Sequence, residues 1–493
     1  MSSARIRSRD RCERCPLEEF MMKKREIQIL LPAAWALAVL LLAGCQAVGP
    51  DYVTPEWKAP ALGDLKDHAG DTVTPGEVAL WWRVFDDPVL TNLVEKALCN
   101  NLTLADALAR IREARARLGV SQAGLLPEVD AGGSYQRFRR SDNAGVPGDG
   151  DHYQAGFDAR WELDLFGRRR RSVEAAQAAF EGSCATFEHL WVVVAAETAR
   201  SYVQYQEFQR RIEVAESNLQ LQRDTLEILI SRAHSGIGDE LAVEQARYNY
   251  ERTRATLPAL HSGSDETLNA LAVLTGVRPG ELDIVIGADS RVLAAPMRTL
   301  TGIPASALAR RPDVRAAERA LAARCAEIGV AAADLYPTFA LGGSIGLEAL
   351  DAGDFPTGAS RFYALGPSVT WPIFRGGSIR ANIEIKKALH EQAFINYEAT
   401  VLDAVAELRN VMSAYVREYE RLDALQKAAT AARNAVAIAQ DKYRQGLADF
   451  NGVLDAQRSL LTFEELVVIS QGLVARDLIG IYKTLGGGWE PLQ

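Results

Sequence analysis

FDARWELDL, Phe157 to Leu165, alternates without a break: Phe157, Ala159, Trp161, Leu163 and Leu165 are apolar, and Asp158, Arg160, Glu162 and Asp164 are charged. A period of two sends successive side chains to opposite faces of a strand, so the stretch predicts one apolar and one charged face. The alternation alone fits a half-buried strand of a soluble sandwich equally well. A length of about nine to eleven residues, with aromatics near the ends, suits a strand that crosses a bilayer.

The pattern returns further along the chain. Trp161 recurs as Trp371, an offset of 210 residues (371 − 161), and Tyr363, Leu365, Val369, Trp371 and Ile373 again share one face, opposite Ser368 and Thr370. The same offset pairs Pro127 with Pro337, Glu174 with Glu384, Tyr205 with Tyr415, Gly236 with Gly446, Asp239 with Asp449 and Gly276 with Gly486. One ungapped register from about Leu93 to Gly276 predicts two tandem copies of one structural unit.

Each copy reads alike. A helix is expected over Leu93–Leu118, with a partner from Pro304 to Val330, both ended by Pro127 and Pro337. Strands near Glu128–Gln136 and Thr338–Leu347 precede the two alternating strands, and the loops are rich in Gly, Asp, Ser and Pro, as in SDNAGVPGDGD. Then come two very long helical segments. Arg168 to His234 holds one glycine, Gly182, and no proline; Ser378 to Gln445 holds neither. At 1.5 Å per residue, about 65 residues reach roughly 100 Å, more than twice a whole bilayer of about 40–45 Å. Phe187, Trp191, Val194, Tyr205, Phe208, Ile212 and Leu219 recur at three- and four-residue steps, as in a laterally packed helix or a long soluble coiled coil. Gly236 and Gly446 end these helices, and second helices follow over Glu240–Leu257 and Phe450–Leu473, antiparallel because the turns are short. Four strands per chain cannot close a pore, since the smallest outer-membrane barrels use about eight; if these strands span, several copies share one barrel.

The amino end carries an address. Lys23, Lys24 and Arg25 precede an apolar run from Ile27 to Ala43, which Pro32 interrupts, and this order reads as a secretory signal rather than a membrane span. Leu42-Ala43-Gly44-Cys45 resembles a bacterial lipobox, in which the cysteine is acylated; a plain signal with a chance cysteine is the simpler reading. Translation from Met21 or Met22 rather than Met1 would remove Cys12 and Cys15. The expected divisions are 1–44 signal, 45–92 amino-terminal anchored segment, 93–276 first repeat, 277–302 linker, 303–486 second repeat and 487–493 tail.

Composition narrows the chemistry. The chain has 493 residues, a net charge of −9 and a pI near 5.4, which give no support for nucleic-acid binding. Six scattered cysteines suggest no disulfide framework. There is no HExxH, GxSxG or P-loop, and the histidines are dispersed. No enzymatic, cofactor or metal site is expected beyond a lipid on Cys45. Arg168 to Arg171 opens a helix, where the dipole disfavours positive charge, and reads either as a contact for lipid phosphates or as a solvated turn. The acidic loop at Asp149 and Asp151 lacks EF-hand spacing.

WWRVFDDPVLTNLVEKALCNNLTLADALARIREARA (Trp81–Ala116), VGPDYVTPEW (Val48–Trp57), YRQGLADFNGVLDAQRSL (Tyr443–Leu460) and LGGGW (Leu485–Trp489) together resemble TolC-like outer membrane efflux proteins, in particular the OprM/NodT lipoprotein branch that serves resistance–nodulation–division (RND) pumps. The resemblance implies a mainly α fold with a small β part: antiparallel hairpins forming an α-barrel, and four strands per chain contributed to the β-barrel of a homotrimer. It implies a passive exit duct, anchored in outer-membrane lipid in a Gram-negative cell, working with a periplasmic adaptor and an inner-membrane RND transporter. Gln46 after the lipid cysteine fits outer-membrane sorting.

By the same resemblance, Asp455 projects into a periplasmic gate with Arg458 beside it, Tyr443 helps latch the closed tips, and the turns at Gly236 and Gly446 touch the adaptor. The plain reading of Asp455 and Arg458 is a solvated pair worth less than about 1 kcal/mol. Gly452 and Asn451 depart from the family's second aspartate and apolar plug, and no aspartate near Ala242 stands ready for Tyr443. Two other readings remain: a duct for type I protein secretion, and a non-conducting lipid-anchored adaptor or scaffold.

Overall fold

Helix, strand pair and long hairpin follow one another twice along the chain. The computed structural model describes residues 47–55, 78–141, 143, 148–236, 238–282, 292–293 and 310–488. In the first repeat α1 (Pro88–Asn100) and α2 (Leu102–Ala123) lead into β1 (Glu128–Arg140) and β2 (Gly148–Leu163), then α3 (Arg168–His234), α4 (Glu240–Arg254) and α5 (Leu257–Leu274). In the second, α6 (Pro312–Ala333) leads into β3 (Thr338–Ala349), β4 (Arg361–Thr370), α7 (Ser378–Arg444) and α8 (Phe450–Thr484). The described residues fall into two compact units: 47–51, 121–173 and 326–386 in one, and 52–120, 174–325 and 387–488 in the other.

The first unit holds one antiparallel sheet in the order β1-β2-β3-β4. Its register joins Ala131 to Phe157, Phe157 to Ile345 and Ile345 to Tyr363, so the apolar positions of all four strands share a face. The opposite face carries Ser134, Gln154, Asp158, Arg160, Ser344 and Ser368, with glycines at Gly156 and Gly346, whose chains approach so closely that a Cβ on Gly156 would lie 2.5 Å from the Ile345 carbonyl oxygen. The apolar face is uncovered: Phe157 is 58% exposed and Tyr363 85%. Both patterns read from the sequence are therefore present. β1 runs on to Arg140 and β2 begins already at Gly148, pairing through residues of loop-like composition, whereas β2 ends at Leu163 and β4 at Thr370, so Leu165, Trp371 and Ile373, expected on the strands, lie beyond them.

The repeat holds at atomic detail. Helices α3 and α7 are both 67 residues long, and their starts are separated by the same 210 residues as the sequence repeat (378 − 168). Trp161 Nε1 donates to the Leu125 carbonyl at 3.0 Å, and Trp371 Nε1 to that of Leu335 at 3.1 Å, again 210 residues apart. Tyr153 and Tyr363 stand eight residues before these tryptophans. Eight residues span about 26 Å along a strand, close to the ~25 Å apolar band of an outer-membrane barrel with aromatic girdles at both rims.

Two expectations are corrected. The single helix expected over Leu93–Leu118 is two helices, broken at Asn101, whose side chain caps α2 by accepting from Thr103 N and Leu104 N at 2.9 and 3.2 Å. The return helix of the first repeat ends at Arg254 and restarts at Leu257 with Pro258 in its first turn, whereas α8 runs unbroken for 35 residues, well past Leu473.

The second unit is cored around Trp81, which stacks on Tyr482 at 5.8 Å, together with Leu90, Leu93, Leu271, Leu478 and Ile479. Here the repeats diverge in chemistry while keeping geometry. Asn101 Nδ2 donates to the last carbonyl of α5, Leu274, at 2.9 Å. At the matching place Arg311 Nη1 donates to Thr484 at 3.0 Å, and its Nη2 also reaches Asp313 and Glu407, each at 2.8 Å. Arg311 is buried, so Arg311→Met removes the bond to Thr484 and leaves Asp313 without its cation, while Glu407 keeps Lys483 at 3.7 Å, and the change is expected to cost about 3 kcal/mol. Asn101→Ala is expected to cost about 1–2 kcal/mol for the lost cap. Urea unfolding of the detergent-solubilised protein should rank the two in that order; equal losses would refute the different roles.

Candidate pore constriction at the helix turns

Both long helices stop in the same way. Gly236 (φ +77°) and Gly446 (φ +73°) take the left-handed conformation, and Gly446 N and Leu447 N donate back to the carbonyls of Tyr443 and Lys442 at 3.0 and 2.9 Å. Asp239 then caps α4 through Leu241 N, and Asp449 caps α8 through Gly452 N at 3.3 Å. Gly452 and Asn451 thus belong to the cap: Asn451 Nδ2 also donates to Asp449 Oδ2, at 3.4 Å.

A small apolar cluster joins the two hairpins beside these turns: Leu229, Ala242, Val243 and Ala246 from the first, Phe450, Val453 and Leu454 from the second. Tyr443 packs on its rim, 5.5 Å from Phe450 and with the Arg232 guanidinium 5.2 Å above its ring. Asp239, three residues before Ala242, is engaged as the cap of α4, and the described partner of the Tyr443 ring on the first hairpin is the Arg232 guanidinium. Asp455 stands out of the cluster with a side chain 77% exposed, and Arg458 Nη1 lies 3.7 Å from its Oδ1. That distance is too long for a strong charge-assisted bond, and the exposed pair contributes less than about 1 kcal/mol. Arg458 is held instead across the hairpins, by the Tyr248 ring at 5.8 Å and Asn249 Oδ1 at 3.4 Å.

Of the residues singled out from sequence, Gly236, Gly446, Tyr443, Asp455 and Arg458 are all in the helical unit near these turns. Cys45 lies outside the described residues. Arg232, Tyr248, Asn249 and Arg252 were not anticipated. One signal was available: Tyr248 and Arg458 are 210 residues apart, so they occupy equivalent places in the two repeats.

The chain just after Cys45 is pinned in the strand unit. Val48 N donates to the Phe166 carbonyl at 3.0 Å, and Arg171 donates to Val48 O, Gly49 O and Asp51 Oδ1 at 3.3, 3.4 and 2.6 Å. Gly49, at φ +99°, approaches Gly329 so closely that a Cβ would lie 2.5 Å from its Cα. The other arginines at this helix start are likewise engaged: Arg168 with Asp334, Arg169 with Glu162 and Arg170 with Asp164. Asp164 also accepts from the backbone N–H groups of Arg169 and Arg170 at 3.0 and 2.9 Å, which offsets the positive charge at the helix start. Arg168 to Arg171 are thus claimed by carboxylates of the same chain. In the acidic loop, Asp151 accepts from the Tyr135 hydroxyl at 3.0 Å and faces Arg137 at 3.9 Å. Among the described residues no cluster suits a metal ion, and no helix is long and apolar enough to cross a membrane.

An open strand quartet with one uncovered apolar face, joined in sequence to paired long hairpins, has the architecture of an outer-membrane channel protein. The chain belongs to the outer membrane efflux protein family, whose model matches residues 93–277 and 303–487, the two repeats. It is 29% identical to Nodulation protein T of Rhizobium leguminosarum bv. trifolii over 461 residues, covering 92% of this chain and 96% of that one. It is 28% identical to the solvent efflux pump outer membrane protein SrpC of Pseudomonas putida over 471 residues, covering 92% and 98%. The outer-membrane channel OprN superposes with a TM-score of 0.84 at 36% identity, over 90% of this chain and all of OprN. Membership makes the protein the outer-membrane channel of an efflux system, a conduit and not an enzyme or a non-conducting adaptor.

Charge buried along α8 gives the helical unit a pH dependence. Glu207 Oε2 accepts from Arg476 Nη2 at 2.7 Å in space left by Gly472, where a Cβ would come within 2.5 Å of that oxygen. Burial, and then the neighbouring Glu418 carboxylate, push the Asp477 carboxyl up to about 6. The folded value exceeds the unfolded one of about 3.9, so this stabilising contribution is complete below pH 4 and is lost as pH rises through about 6. Asp477→Asn is therefore expected to unfold at a higher temperature than the natural protein at pH 8, and at the same temperature near pH 4. Partial solvation keeps the pH 8 gain to about 1 kcal/mol. A pH-independent difference in melting would refute it.

Proposed function

We propose that the protein is the exit duct of a tripartite RND-type efflux pump, assembled as a homotrimer whose copies share one β-barrel. The open four-stranded sheet carries this reading. It is apolar on one face and polar on the other, and among the described residues β1 and β4 each have a neighbour on one side only. Exposed edges of 13 and 10 residues are untenable in hydrocarbon, where backbone polar groups have no water to bond. Joining β4 of one copy to β1 of the next removes every edge, and three copies give about twelve strands, within the range of known barrels. Substrate passes through passively; the energy comes from an inner-membrane transporter, and a periplasmic adaptor engages the turns at Gly236 and Gly446.

Cys45 is proposed as the lipid attachment site. Ala47, two residues on, packs against Gly167 just beyond β2, which supports an anchor point close to the rim of the bilayer-spanning sheet. The gate is assigned to Asp455, Arg458 and Tyr443. Three exposed Asp455 carboxylates sum their potential in a narrow passage and draw cations.

In planar bilayers, Asp455→Ala is expected to weaken cation preference and raise open probability, while the protein still migrates as a heat-labile oligomer in unboiled gels. Unchanged conductance and ion selectivity would overturn the gate assignment, and purely monomeric protein would overturn the shared barrel.

A further inference from the structure

Tyr248 of α4 and Arg458 of α8 face each other where the two return helices meet, with Val243, Ala246, Val453 and Leu454 packed alongside. Arg252 Cζ lies 5.9 Å from the same tyrosine ring that takes Arg458 at 5.8 Å, so two guanidinium groups share it. The residue after Tyr248, Asn249, is completely buried. Its side-chain oxygen accepts from Arg252 Nη2 at 3.1 Å and from Arg458 Nε at 3.4 Å. Its Nδ2 has no partner among the described residues.

That arrangement is costly to keep. A buried amide N–H2 without a partner loses about 1–3 kcal/mol, and a leucine of similar volume would avoid the loss. Turning the amide over would set its N–H2 against two cations, so the carbonyl oxygen belongs where two donors converge. The oxygen fixes the direction of Arg458. Arg458 sits three residues after Asp455 on one helix face, where an unrestrained guanidinium could close on the carboxylate in a bidentate pair. Held by Asn249 and Tyr248, it stays 3.7 Å away.

We propose that Asn249 is a positioning residue for ion selectivity: with Tyr248 it draws Arg458 onto the first hairpin and leaves the Asp455 carboxylate uncompensated at the constriction. This rests on the assignment of Asp455 as a pore charge. Restraining the arginine, and not only supplying the aspartate, sets the local field.

The test is the reversal potential of reconstituted channels under a KCl gradient. Asn249→Leu is expected to lower the potassium-to-chloride permeability ratio by about twofold or more, because the freed arginine cancels part of a focused negative potential. Arg458→Gln is expected to shift it the opposite way, towards stronger cation preference. In an Asp455→Ala background, Asn249→Leu is expected to change nothing further. If Asn249→Leu fails to assemble, Tyr248→Leu removes the other half of the clasp from an exposed position and is expected to act in the same direction. Wild-type selectivity in the assembled Asn249→Leu or Tyr248→Leu channel, with Asp455→Ala still altering it, would overturn the clasp and leave the gate standing. No effect of Asp455→Ala would overturn both.

Discussion

A strand placed in hydrocarbon must have every backbone N–H and C=O bonded to another strand. Among the described residues one chain provides three strand–strand seams and leaves the outer sides of β1 and β4 open, so the proposed membrane placement calls for a partner at each. The other features of the strand unit serve the same demand. The register that brings Phe157, Ile345 and Tyr363 onto one face also removes charged side chains from it between the aromatic rims. Trp161 and Trp371 turn their indole N–H groups to helix-end carbonyls, so each ring exposes apolar surface without an orphaned donor. The glycine pair Gly156 and Gly346 lets two strands close to a distance that any side chain would prevent.

Duplication supplied the strands, and divergence distributed the work. Matching helix lengths, matching left-handed glycines and matching tryptophan bonds show a scaffold retained in both repeats. Where the halves differ, the difference has a physical consequence. Asn101 clasps the end of α5 with a neutral amide, while Arg311 clasps the end of α8 with a buried cation that also gathers Asp313 and Glu407. The first return helix is interrupted before Pro258; the second is continuous and carries Asp455, Arg458, Arg476 and Asp477 on one rigid element.

Much of this was legible because the relevant signals are periodic. Alternation of apolar and charged residues in FDARWELDL gave the faces of β2, and the absence of proline over Arg168–His234 gave the length of α3. The break at Asn101 was hidden because Leu98, Leu102 and Ala105 continue an apolar stripe straight through it; only the N-cap preference of asparagine marks the site. The extension of β2 back to Gly148 was hidden for another reason: GDGDHY has the composition of a loop, and only pairing with Arg137 to Arg140 makes it a strand. At the turns, the motif around Asp455 could be read locally. The partners of Arg458 could not, since Tyr248 and Asn249 lie some two hundred residues earlier and meet it only through tertiary packing.

Packing is unevenly distributed along the helical unit. Around Trp81 a large aromatic and aliphatic cluster binds several helices together, so that displacing one costs many contacts. Beside Gly236 and Gly446 the cluster is small and made largely of alanine, valine and leucine, and its polar margin consists of exposed pairs and cation–π contacts each worth about 1 kcal/mol or less. A few such contacts sum to the few kcal/mol that a binding partner can supply through differential affinity for two states. Low local stability at the turns is therefore what the proposed gate requires, and the larger core around Trp81 would confine its motion to them.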